Sequence, residues 1–201
     1  MGVADTGLSY SAFRGAEIRE VTEALAALRI TVFHDYPYLY DGSLAYEKQY
    51  LETYIQSENA FLFSVFDGEN MVGATTCIPL AHETADVQEP FLQKGMDISR
   101  VFYFGESILL KNYRGLGLGN RFFEEREAHA ASFPGVDTVC FCAVKRPADH
   151  PLKPADYQPL DAFWTRRGYV KAPDMVSYFE WKDRGEEVST PKPMEYWFKK
   201  I

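Results

Sequence analysis

Cysteine is scarce: Cys77, Cys140 and Cys142 are the three in 201 residues, an odd number without metal-ligand spacing. That excludes a disulfide framework and reads as reduced core thiols in a cytosolic protein. Histidine is scarcer in effect, because His34, His82, His129 and His150 do not cluster, so no metal site is expected. Positive charge is in deficit, with 21 Lys and Arg against 29 Asp and Glu, a net −8 that argues against a nucleic-acid partner. No apolar run approaches the roughly 20 residues that span a bilayer, and no secretory leader opens the chain. Met1 to Thr6 formally fits an N-myristoylation start, but no polybasic patch accompanies it. The expectation is a cytoplasmic protein without membrane or nucleic-acid partners. Repeats and low-complexity tracts are also lacking.

What is present is core material. Hydrophobic residues make up 46% and aromatics 15%, enough for one well-buried domain over residues 1–201 and too much for a disordered chain. Residues 1–14 carry little pattern and are expected to form a loose tail. Ala16–Val21 alternates as a half-buried strand, and Thr22 is placed to cap a helix running to Phe33. An aromatic loop, His34 to Gly42, precedes a second helix over Ser43–Ile55. Phe61–Phe66 and Met71–Ile78 flank the turn Asp67-Gly68-Glu69-Asn70 and read as a hairpin. Pro79–Ser99 reads as a loop with one short helix. Strands are expected over Val101–Leu110, Asp137–Val144, Met175–Trp181 and Met194–Lys199. A short helix from Leu160 ends at Gly168.

The sharpest local signal lies between the Val101–Leu110 strand and the helix-forming run Asn120–Ala131: Arg114-Gly115-Leu116-Gly117-Leu118-Gly119. A buried strand that feeds a glycine turn opening a helix leaves several backbone N–H groups unpaired. The helix dipole adds partial positive charge there, so the turn suits a phosphate or pyrophosphate. A dinucleotide-binding turn would need a third glycine where Asn120 stands, and a P-loop would need a lysine that is absent. Arg-x-x-Gly-x-Gly does fit. It resembles the acyl-coenzyme A pyrophosphate loop of the GCN5-related N-acetyltransferase (GNAT) superfamily, and the order β-α-α-β-β-β-α-β-α-β-β is similar too. The resemblance implies an α/β fold with a mixed, mostly antiparallel sheet of about seven strands flanked by helices. It implies acetyl-CoA as co-substrate and a small-molecule or peptide amine as acceptor, and it is compatible with a homodimer.

Residue by residue, the resemblance places the pyrophosphate at Arg114, Gly115, Leu116, Gly117, Leu118, Gly119 and Asn120. It places the pantetheine arm along Ile108, Leu109 and Leu110. Glu106 is the one carboxylate in the apolar span 101–110, and burial would raise its pKa toward that of a general base. The other reading gives Glu106 an arginine partner or a solvated face. Tyr36 and Tyr38, with Glu106, are candidates for holding the acceptor. Trp164 stands where many superfamily members carry the tyrosine that protonates the leaving thiolate, and indole is no useful acid. Tyr157 and Tyr169 are the replacements proposed for it, with Tyr103 also in reach. The asparagine that commonly ends the fifth strand is absent from Val144-Lys145-Arg146. Two other readings stay open: a non-catalytic acyl-CoA-binding module on the same fold, and a plain structural domain.

Overall fold

The computed structural model describes residues 7–201; the myristoylation-like start falls outside them. Seven strands form one sheet in the order β1-β2-β3-β4-β5-β7-β6. They are β1 (Leu8–Arg14), β2 (Phe61–Asp67), β3 (Asn70–Pro79), β4 (Val101–Leu109), β5 (Thr138–Val144), β6 (Val170–Trp181) and β7 (Thr190–Lys200). Every neighbouring pair is antiparallel except β4 with β5. Five helices accompany them: α1 (Thr22–Phe33), α2 (Leu44–Gln56), α3 (Ala85–Gln93), α4 (Leu118–Ala131) and α5 (Asp161–Arg166). No helix among the described residues is long and apolar enough to cross a membrane. All three cysteines are free and buried.

Two apolar cores lie on opposite faces of the sheet. One packs Leu25 and Leu28 of α1 and Leu51, Tyr54 and Ile55 of α2 over Leu62, Ala74, Tyr103 and Ile108. The other packs Phe122, Phe123 and Ala130 of α4 against Phe63, Phe102, Phe104 and Phe141. Side chains alternate faces along a strand, so adjacent positions such as Phe102 and Tyr103 feed different cores.

Two expectations at the N-terminus need correction. Residues 8–14 are no loose tail but β1, paired with β2 from Leu8↔Asp67 to Arg14↔Phe61. Ladder pairing with an already formed strand orders a segment whose own pattern is weak. Ala16–Val21 is not a strand; residues Gly15–Val21 form a 3-10 helix. Gly15 takes φ 48° and would set a Cβ against the backbone of Ser57 and Glu58. Its turn redirects the chain, after which Ile18 and Val21, three apart, share one face of the tighter helix. Thr22 is consequently the first residue of α1 rather than its cap, and its hydroxyl donates to Ile18 O at 3.1 Å. Ser43 does cap α2, accepting from Tyr46 N.

Candidate active site

At the end of β4 a short 3-10 turn, Lys111–Tyr113, leads into the glycine segment. Gly115 and Gly117 both adopt left-handed backbone, φ 81° and 82°, and a Cβ added at either would meet no atom within 4 Å. Gly117 is the N-cap of α4, its carbonyl accepting from Asn120 N (3.0 Å) and Arg121 N (3.3 Å). Among the described residues the N–H groups of 116–119 have no hydrogen-bond partner. Four donors are therefore left unpaired at the positive end of a 14-residue helix, the arrangement an anion cradle needs. The side chains brace rather than line it. Tyr113 donates to Asp67 at 2.7 Å, Asn120 accepts from Arg167 at 3.1 Å, and Arg114 reaches back toward Leu109 O at 3.5 Å.

Beside the cradle the sheet opens. β4 and β5 pair only over Val101↔Thr138, Phe102↔Val139 and Tyr103↔Cys140. From Phe104 to Leu109, β4 has no partner on that side, while β5 pairs along its length with β7. An unpaired strand edge next to an anion cradle fits a chain bearing amides at one end and a diphosphate at the other. Ile108 and Leu109 lie on that edge and Leu110 just beyond it, its N–H donating to Val72 O on the β3 side.

On the other side β3 meets β4 with a bulge, because Gly105 and Glu106 together oppose Thr76. Two side chains hold the bulge at one carbonyl: Thr75 donates to Glu106 O at 2.8 Å, and Arg126 of α4 reaches the same oxygen at 3.3 Å. Gly105 is obligatory here, since a Cβ would run into the Tyr54 hydroxyl. The Glu106 side chain projects toward α1, where Arg29 donates to its Oε2 and also, through Nε, to Glu47 Oε2 of α2. Arg29, Glu47 and Glu106 are 8%, 1% and 4% exposed, and the guanidinium also stacks over Tyr50 at 4.4 Å. The outer oxygens, Glu47 Oε1 and Glu106 Oε1, are buried without a hydrogen-bond partner. Burial raises the Glu106 pKa, with Arg29 pulling the other way.

Arg29 and Glu47 of this cluster line a cavity of about 580 Å³, whereas Glu106 is not among its lining residues. Its lining includes Arg29, Glu47 and Tyr50 on one wall, Phe179 and Trp181 on the other, and Tyr103, Gly105 and Cys142 at the base. Gly105 belongs to β4 and Cys142 to β5, so the cavity reaches the gap between those strands. Tyr38 lines it as expected, held by Arg146, which donates to Pro37 O and Tyr38 O and forms a buried pair with Asp183. Arg146 is thus spent on structure. Tyr36 lies outside the lining and packs edge-on against Tyr157, centroids 4.7 Å apart. Asp35, beside it, ion-pairs with Lys111 at 2.9 Å, which ties the aromatic loop to the segment leaving β4.

Solved structures share this fold over nearly the whole chain. The chain has the GNAT acetyltransferase fold. An acetyltransferase of the GNAT family from Streptococcus pneumoniae is similar at 13% identity and TM-score 0.56, over 96% of this chain and all of that one. The ribosomal-protein-alanine N-acetyltransferase of Brucella melitensis is similar at 13% identity and TM-score 0.60, over 95% and 99%. NAA60 of Arabidopsis thaliana, solved with a bisubstrate analogue, reaches 10% and 0.56 over 96% and 99%. No protein-family model matches the sequence, and no curated protein matches it either.

Within this GNAT fold the two tyrosines named for proton return differ sharply. Tyr169 is buried in the α4-side core and donates to Glu127 at 3.0 Å. The Tyr157 hydroxyl has no hydrogen-bond partner among the described residues, and partial burial raises its pKa. Trp164 packs against Phe141 and Trp197 as a core residue. Sequence reading missed Arg29 and Glu47. The signal was available: Arg29 stands four residues after Leu25, and Glu47 four before Leu51, each a charge on the buried stripe of a helix.

Proposed function

We infer that this protein transfers an acetyl group from acetyl-CoA to the nitrogen of an amine, both substrates bound at once. The observation that carries the reading is the meeting of two spaces: a strand gap beside an anion cradle, and a cavity lined by Arg29, the partner of the buried Glu106 carboxylate. Residues 116–119 offer four backbone donors to the pyrophosphate, and the free edge of Ile108 and Leu109 offers strand-like pairing to the pantetheine amides. The cradle is open enough for this, since neither Gly115 nor Gly117 has an atom near its missing side chain.

The amine, bound in the cavity, faces the thioester at the level of Gly105. Glu106, through Oε1 and directly or by way of a water, takes the ammonium proton; the nitrogen then attacks the thioester carbonyl and the carbon–sulfur bond breaks. Arg29 keeps the second carboxylate oxygen occupied and so points the first. Tyr157, protonated at neutral pH, returns a proton to the thiolate. The similarity to a ribosomal-protein-alanine N-acetyltransferase supports nitrogen as the acceptor atom.

The test is thiol release from acetyl-CoA across a panel of primary amines, with the acetylated products identified by mass. Release that depends on amine, with N-acetyl product, is the expected result. Tight acetyl-CoA binding with no turnover over a broad panel would replace this reading with that of a binding module, for which the packed Trp164 is the structural argument.

A further inference from the structure

The cavity is unbalanced in charge, and the imbalance has two levels. Deep inside, Arg29 and Glu47 line the cavity, and Glu106, which is not among the lining residues, shares the same guanidinium, so one cation serves two carboxylates. Glu47 Oε1 and Glu106 Oε1 make no hydrogen bond, while the Tyr40 hydroxyl interacts with the Glu47 carboxylate. Toward solvent the lining adds Asp86 and Glu180, both exposed and neither in an ion pair among the described residues. Arg29 is the sole cation of the lining. Its Nε and Nη1 are committed to carboxylates, and its face lies over Tyr50 at 4.4 Å and Phe33 at 5.1 Å. Only its Nη2 is uncommitted, so a ligand carboxylate would compete with two protein carboxylates for one cation. Between the two levels stand aromatic walls, among them Tyr38, Tyr50, Phe179 and Trp181.

A buried carboxylate oxygen without a donor is costly, and such groups are retained where a ligand completes them. A cation completes this one, and the aromatic faces around it attract the same charge. Resting on the transferase reading above, we propose that the acceptor is a cationic primary amine with an apolar body and no neighbouring carboxylate, and that Glu47 selects it. Free α-amino acids are disfavoured, because their carboxylate would enter beside Glu47 where the one cation, Arg29, is already shared by two carboxylates. Neutral acceptors are disfavoured, because they leave the cluster one charge short. Glu47 sits on a different element from Glu106, so charge recognition and proton removal are divided between α2 and β4.

Three probes with one body separate the cases: 2-phenylethylamine, 2-phenylethanol and phenylalanine. Their equilibrium binding to the protein is measured by calorimetry in the presence of coenzyme A. The amine should bind at least about tenfold more tightly than either of the others, roughly 1.4 kcal/mol. In a folded Glu47→Gln variant that preference should fall to within about threefold. Alcohol or phenylalanine binding as tightly as the amine overturns the proposal, and so does absence of amine binding at millimolar concentration. A preference undiminished by Glu47→Gln overturns the assignment to Glu47. The wild-type comparison needs no variant and stands if Glu47→Gln does not fold. Because binding is read without turnover, failure here and failure of the transferase reading are distinct: turnover without charge preference sinks this inference alone, and preference without turnover sinks the other alone.

Discussion

The two halves of the candidate active site are built from different materials. The cradle at 115–119 is made of backbone: left-handed glycines, unpaired N–H groups and a helix end, with Leu116 half exposed and no buried charge. The acceptor cavity is made of side chains: a guanidinium shared by two carboxylates, brought together from α1, α2 and β4 and enclosed by aromatics. Backbone recognition suits a diphosphate, which needs donors rather than particular side chains. Side-chain recognition is where one protein of this fold comes to differ from another. The first kind tolerates exchange of most neighbours, and the second depends on each member being satisfied by the rest.

The comparison breaks most visibly at Arg29. Arg29→Met leaves two carboxylates facing each other in a buried site, and removal of one partner of such a cluster costs about 3–5 kcal/mol. Chemical denaturation should show a loss of that size; a loss below about 1 kcal/mol would mean the cavity is as tolerant as the cradle. Next in size is Glu106→Gln, for which kcat should fall at least about 10²-fold while acetyl-CoA affinity holds. Burial raises the Glu106 pKa, so its working carboxylate form is lost as pH falls through a value above the ordinary carboxylate range. The acidic limb of the wild-type pH–rate profile should therefore lie above that range, and it should vanish in the variant. Activity within about threefold of wild type across pH would reduce Glu106 to a partner of Arg29.

Gly117→Asp probes the other half. It places negative charge against the cradle, and acetyl-CoA affinity should drop about tenfold, or 1.4 kcal/mol, by calorimetry. The left-handed φ of 82° makes any side chain there strained, which costs on the order of 1 kcal/mol of stability. Gly117→Asn, strained alike but uncharged, should lose much less affinity; equal losses would mean that shape rather than charge governs the cradle. The smallest effect is expected at Tyr157→Phe, a decrease of about threefold in kcat with a larger deficit for acyl thioesters whose thiols are more basic. No dependence on the leaving thiol would remove Tyr157 from the mechanism.

The same division decides what could be read in the sequence. The strand, glycine turn and helix start at 101–131 were legible because their determinants are contiguous in sequence. The helices α1 and α2 and the hairpin of β2 and β3 announced themselves through periodicity and turn chemistry. β1 was hidden because its order comes from a partner strand almost 50 residues away, and the 3-10 helix at 15–21 mimics strand alternation over so short a run. The Glu106–Arg29–Glu47 cluster spans 77 residues of sequence, so the reading of Glu106 found the odd carboxylate but not its partners. Tyr36 and Tyr38 were both assigned to the acceptor site by their place in the aromatic loop; Tyr38 lines the cavity, and Tyr36 packs against Tyr157 instead.

The gap between β4 and β5 has a mechanical side. With three residue pairs joining them, strands β1–β4 and β5–β7 form two leaves of a sheet fastened along a short seam. An internal free edge is also a place where amide hydrogens exchange readily and where the leaves can breathe against each other. A ligand that pairs along β4 while touching β5 would act as a bolt through both leaves, damping that motion throughout the sheet. Substitutions in either leaf, far from any contact with the ligand, would then alter how tightly it is held by changing how far the seam opens when it is gone.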